Sequence, residues 1–291
     1  MKKTLHKTYI IFLIVLFTSV LGLALFLGLD YYLTPMVERF YHPMNKLLKP
    51  SGLIGHGYGI VGSVLIIIGV VLYIIRKRVK LFMKMGLLKH WLEFHIFLCS
   101  LGPLLILFHT AFKFGGIVSV GFYSMMAVVI SGIVGRFIYL QIPRSIQGKV
   151  LSIDEIEDID SEINRKLRKD YGVDEKIIAT IHGYTHGQKS SDSITGSLFI
   201  ILGSFFSNRK FIYRIKKALK KYGIKRKALK AVLRTIKNKL VLQRRIKILM
   251  SMQRLFKYWH VAHLPFAVIM FLILLVHVGV AIAFGYFWIF R

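Results

Sequence analysis

Apolar residues in this chain come in long blocks. Five runs, at about residues 8–29, 54–75, 91–112, 115–141 and 259–290, hold at most one charged side chain each. Each is long enough to carry an α-helix through the hydrocarbon layer of a bilayer, where every backbone polar group must be satisfied within the segment. Between the fourth and fifth runs the pattern changes to polar sequence with apolar residues at helical spacing. The pattern predicts an all-α integral membrane protein, a bundle of about five transmembrane helices with a helical, basic insert. The expected organisation is 1–142 for helices one to four, 143–258 for the insert, and 259–291 for a fifth helix that completes the bundle.

Composition agrees: 55% of the 291 residues are hydrophobic and the mean hydropathy is +0.58, too apolar for an ordinary soluble domain. Met1-Lys2-Lys3 before the first run resembles the start of a secretory signal. That run is too long, however, and lacks a small-residue cleavage site, so it reads as a retained anchor. Cys99 is the single cysteine, which excludes disulfides and cysteine-ligated iron–sulfur or zinc centres within the chain.

Charge orients the helices. The formal net charge is +29, and residues 143–258 hold 27 of the 42 Lys and Arg. Arg76-Lys77-Arg78-Val79-Lys80, Lys84 and Lys89 occupy the loop between the second and third runs. The positive-inside rule puts the N-terminus, loop 76–90 and segment 143–258 in the cytoplasm, and 30–53, 113–114 and Arg291 outside, in a bacterial cytoplasmic (inner) membrane. Residues 194–207 are apolar but short for a crossing. If they crossed, residues 209–258, with nineteen Lys and Arg and no acid, would lie outside. An interfacial or buried soluble segment is expected instead.

His56, His95, His109, His263 and His277, among eleven histidines, lie in the apolar runs, where an unpartnered polar group is costly. His95 and His109 are fourteen residues apart, as are His263 and His277. Fourteen residues is close to four turns, so each pair shares a helix face with about 21 Å along the axis between its members. A single histidine would read as a satisfied polar residue or part of a transport path. Two helices with the same spacing offer four imidazoles in two layers, the geometry that bis-imidazole ligation of two stacked b-type haems needs. With the third and fifth helices parallel, His95 pairs with His263 near the cytoplasm and His109 with His277 near the outer face.

His260 and His90 miss the fourteen-residue register; contact with propionates, proton transfer or exposure to water are their expected roles. His56 has three open roles: packing beside the outer haem, quinol chemistry, or capping its helix. Gly57-Tyr58-Gly59-Ile60-Val61-Gly62 is a literal GxGxxG, but a nucleotide fingerprint requires a strand before it. Here the glycines suit close approach of a helix or a flat macrocycle. Arg136 is a candidate propionate partner for the inner haem, with an interfacial snorkelling arginine as the equal alternative.

His95, His109, His263 and His277 resemble the transmembrane domain of the ferric reductase and NADPH oxidase superfamily, whose third and fifth spans carry paired histidines at near-identical spacing. The resemblance covers the five spans and implies a reductase-like haem core. Two departures are an insert of unusual length and the lack of a flavin- and nucleotide-binding domain after the fifth span, so the family's electron donor is not implied.

In the insert, Ser152-Ile153-Asp154-Glu155 resembles a capping box, and the acidic stretch through Glu162 leading to Arg165–Lys169 predicts one helix. His182 and His186 have a metal-like spacing, yet no third ligand accompanies them, and a solvated loop is expected there. Residues 209–257 read as basic amphipathic helices separated near Gly223, suited to anionic lipid or an acidic partner rather than nucleic acid.

The function expected is a di-haem cytochrome b subunit that passes electrons across the membrane. It is an electron-transfer component more than a self-contained enzyme. Flavoprotein, iron–sulfur or cytochrome c partners are expected, and quinone is left open. The alternatives are a quinol/quinone oxidoreductase cytochrome b and, from another class, a transporter or proton channel using intramembrane histidines.

Overall fold

A computed structural model describes residues 2–143, 153–186, 193–221 and 226–286. Among them are the helices α1 (Lys2–Leu33), α2 (Asn45–Leu48), α3 (Leu53–Arg78), α4 (Leu88–His109), α5 (Gly116–Gln141), α6 (Ile153–Lys169), α7 (Glu175–His186), α8 (Ile194–Lys221), α9 (Arg226–Lys247) and α10 (Leu249–Ala283). The described residues include no strand. Five segments are long and apolar enough to cross a membrane: Thr4–Leu33, Asn45–Arg78, Leu88–His109, Gly116–Gln141 and Leu249–Ala283. The chain therefore reads as a multi-pass membrane protein. Large apolar side chains such as Phe12, Phe26, Ile133 and Leu275 stand exposed on these helices, as a lipid-facing surface requires.

The chain divides into two compact units. One comprises Met1–Ile133 with Val261–Arg291; the other is Val134–His260. The boundaries fall inside α5 and α10, so the second unit takes the last turns of one long helix and the first turns of the other.

In the first unit α3 and α4 run antiparallel with their backbones close together. A Cβ on Gly62 would lie 2.7 Å from the Gly102 carbonyl oxygen, and one on Gly102 would lie 2.6 Å from that of Gly62. No other residue fits at this crossing. Ile66 of α3, Met125 of α5 and Met270 of α10 form a buried cluster beside it. A second cluster gathers Ala24, Tyr31, Tyr32, Leu48, Phe108 and Ala111 at the other end of α1 and α4.

The third apolar run reaches residue 112 in the sequence, yet α4 stops at His109. Ala111 and Phe112 follow with φ of +47° and +59°, a left-handed conformation that is strained for residues with a side chain. Arg39, almost fully buried, holds this turn: Nη1 donates to the Ala111 carbonyl at 2.5 Å and Nη2 to the Tyr32 carbonyl at 2.6 Å. α10 likewise ends short of the expected residue 290, just before Gly285 at φ +79°.

The second unit is a helical domain with its own core, in which Leu167, Ile177, Ile178, Ile181, Ile215, Leu219, Ile236 and Leu240 are buried. Here α6 is the acidic-to-basic helix the sequence predicts, whereas its capping residue Ser152 lies outside the described residues. The loop expected around His182 is instead α7. Ile177, Ile178 and Ile181 share one face of it and enter the core, while Tyr184 stacks on Phe211 at 3.8 Å between centroids. That burial outweighs the unfavourable glycine at 183. Residues 194–207 form the first half of α8, a helix of sufficient length that is not apolar enough to be among the membrane-capable segments. Its Ser197 and Ser204 are buried, the former 2.5 Å from the Ser251 hydroxyl. Gly223 lies outside the described residues.

Cations are buried in this unit too. Lys239 Nζ donates to Asp160 at 2.9 Å and to Asn164 at 2.6 Å. Burial lowers the pKa of Arg244, with neighbouring Arg245 adding to it, and burial also lowers those of Arg245 and Lys247.

Candidate functional site

His95 and His109 project from α4 toward α3, and each finds a backbone acceptor there. His95 Nδ1–H donates to the Gly69 carbonyl at 2.9 Å, and His109 Nδ1–H to the Gly55 carbonyl at 2.9 Å. The residue pairs 55/109, 62/102 and 69/95 step in opposite directions by seven, the register of two antiparallel helices packed at a near-heptad repeat. The glycines thus answer the fourteen-residue histidine spacing with an equal spacing of their own. Since a carbonyl can only accept, Nδ1 carries the proton in both rings, and in the neutral imidazole the lone pair is on Nε2. An imidazole held at one nitrogen by a backbone carbonyl, with the other nitrogen basic, is the usual state of a metal-ligating histidine.

His263 of α10 is held in the same way by α5. Its Nδ1 is 2.6 Å from Ser131 Oγ, whose own hydrogen goes to the Val128 carbonyl at 3.0 Å, so the serine oxygen accepts from the ring. Met270, midway between His263 and His277, is buried in the Ile66–Met125 cluster. The histidine-bearing face of α10 is therefore its inward face.

The two layers differ in how closely their members meet. The rings of His109 and His277 are 6.3 Å apart between centroids, and His56 stacks on His109 at 6.4 Å. Two imidazoles bound opposite one another to a shared metal at about 2.0–2.1 Å would have centroids roughly 6 Å apart, close to the separation of His109 and His277. In the other layer the ring beside His95 is Tyr73, at 5.1 Å, and not His263. Arg136 belongs to the second unit, its guanidinium 5.7 Å over the Tyr139 ring, and His260 lies beside Trp259.

His56 also lines an open cavity of about 470 Å³ with Lys46, Lys49, Ser51, Gly52, Leu53 and Tyr286. The GxGxxG at 57–62 lies within α3 with no strand before it. Its glycines serve packing: a Cβ on Gly59 would lie 2.8 Å from His109 Nδ1.

Sequence reasoning missed Gly55, Gly69 and Ser131, whose partners are set by helix register. It also missed a cluster at the opposite end of α4 from His109, where His6 of α1 meets His90 and Glu93. A lone acid in an apolar run, three residues after a histidine, was the available signal.

These features define a class, a multi-pass membrane protein that is all-helical in its described residues and carries several histidines on its membrane-length helices. No protein-family model, curated protein or solved structure matches the chain.

Proposed function

We propose that the first unit is a di-haem cytochrome b core that carries electrons between the two faces of a bacterial cytoplasmic membrane. The observation that carries this reading is the repeated anchoring of His95 and His109 through Nδ1 on glycine carbonyls a fourteen-residue step apart. It prepares two imidazoles on one helix face as ligands through Nε2. The 6.3 Å spacing of His109 and His277 supports a shared iron in their layer, and the Ser131 bond to His263 supports the same ligand role in the other. Haem b would supply a one-electron couple, held by His95, His109, His263 and His277. The protein's part is to orient the rings, hold the protons of His95, His109 and His263 on Nδ1, and surround the rings with apolar side chains. The N-terminus and the second unit belong to the cytoplasmic side in this reading, with flavoprotein, iron–sulfur or cytochrome c partners.

The cavity at His56 favours a second reading, in which a quinol or quinone reacts beside the His109 layer. Its lysines, serine, tyrosine and imidazole offer hydrogen bonds and a proton carrier to such a head group.

The purified protein is expected to show the visible spectrum of low-spin haem b and two haems per chain by pyridine haemochrome. His109→Ala and His277→Ala should each lower this to about one, because each removes one of two axial bonds. A colourless wild-type protein, or full haem content in both variants, would overturn the assignment and leave a histidine-lined transporter. Oxidation of a soluble quinol by the wild type, abolished in His56→Ala with both haems present, would establish the second reading.

A further inference from the structure

The first unit carries a second set of candidate metal ligands, separate from the two layers. His6 on the first turns of α1 meets His90 and Glu93 on the first turns of α4. Glu93 is the acid of this unit whose side chain is withdrawn from the surface, 9% exposed against 97% for Asp30. A carboxylate within an apolar helix is costly to hold without a compensating positive partner. Here both oxygens are engaged: Oε2 is 3.2 Å from His90 Nδ1 and Oε1 is 3.7 Å from His6 Nε2.

We infer that His6, His90 and Glu93 form a binding site for a first-row divalent transition-metal ion of the zinc or ferrous type. The distances fit. With bonds of about 2.0–2.2 Å, neighbouring ligand atoms of a tetrahedral centre stand roughly 3.4 Å apart, between the two separations observed here. All three ligand atoms lie within 4.8 Å of one another, and the two imidazole rings are 4.7 Å apart at 55°. Two imidazoles with one carboxylate favour Zn²⁺ or Fe²⁺ over Mg²⁺ or Ca²⁺, which prefer all-oxygen shells.

The site already attracts a cation. Lys89 Nζ lies 3.4 Å from His6 Nε2 and 3.6 Å from Glu93 Oε1, bridging two of the atoms a metal would bridge. Its side chain is half exposed, so it can swing into water when a divalent ion takes its place. Tyr9 packs against both rings, 6.5 Å from His6 and 6.4 Å from His90, and shields one side of the cluster. An ion here would clamp α1, otherwise lightly packed, onto the helix that bears His95 and His109.

This inference stands independently of the haem reading. The test is zinc binding by the full chain in detergent or nanodiscs after treatment with a chelator, using Zn²⁺ alone as the probe. Wild type is expected to bind one zinc ion per chain beyond whatever the His6→Ala/Glu93→Gln double variant binds, and each single change should weaken that site at least about tenfold. Zinc should raise the thermal midpoint of wild type by mass action and not that of the double variant. Lys89→Ala should bind zinc more tightly, since it removes the competing charge, and a purely structural ion-pair network would show no such gain. Equal zinc binding by wild type and double variant, or weaker binding by Lys89→Ala, would overturn the proposal. His95→Ala should keep this zinc site whatever happens to its haem content.

Discussion

The ring of His109 occupies the space a side chain at position 59 would need. Alanine is a better helix former than glycine by about 1 kcal/mol, so Gly59→Ala would stabilise α3 if packing were neutral. Overpacking in a close-packed interior costs about 1–3 kcal/mol, and the ring, fixed by its bond to the Gly55 carbonyl, has little room to yield. Gly59→Ala is therefore expected to displace His109 and lower haem content by about one per chain. Gly132→Ala, where nothing lies within 4 Å, should keep both haems and gain a little thermal stability. Ser131→Ala tests the other layer. Loss of the oxygen that accepts from His263 should weaken haem retention there by about 10–100-fold, with the His109–His277 haem unchanged in a titration of apoprotein. The fourteen-residue spacing of His95 with His109 and of His263 with His277 was legible in the sequence because each is local to one helix. Their acceptors were not. A glycine carbonyl has no signature of its own, and which glycine faces which histidine depends on the register of two helices.

At the level of elements, the five membrane segments were legible because length and apolarity suffice for them. Their ends were less so. α4 ends before its apolar run does because buried Arg39 fixes the Ala111 carbonyl, a contact across 72 residues. α7 was expected as a loop because His182, Gly183 and His186 look polar and breakable, while burial of Ile178 and Ile181 against α9 could not be read from the segment itself. α8 bears directly on topology. Its Ser197 and Ser204 are buried within the second unit, and its second half is strongly basic. Cysteines placed at Lys176 in α7 and at Lys217 in α8 should therefore react with an impermeant reagent from the same side of sealed vesicles. Opposite accessibility would mean that residues 194–207 cross the bilayer.

For the whole molecule the decisive quantity is charge. Lys216, Lys217 and Lys220 are exposed on α8, while Ile215 and Leu219 of the same turns are buried in the core. Reversing these three lysines to glutamate should leave folding and haem content unchanged, because none of them supports the core. Attraction of an acidic electron donor acts over a Debye length of about 10 Å at 0.1 M salt and about 3 Å at 1 M. The reversed protein should accept electrons from such a donor more slowly, and the wild-type decline with salt should flatten; a small neutral reductant should be indifferent to both changes.

The backbone contact of Gly62 with Gly102 lies seven residues, roughly 10 Å of helix rise, from each histidine layer. It touches no ligand, yet it fixes the offset at which α3 meets α4. Any slip or spreading there withdraws the Gly55 and Gly69 oxygens from their rings at the same moment. In the proposed haem reading, the two layers would be tied to one mechanical joint and would fail together. A graded series Gly102→Ala, Ser, Val should lose both haems in parallel as the side chain grows, whereas each ligand substitution removes one and spares the other.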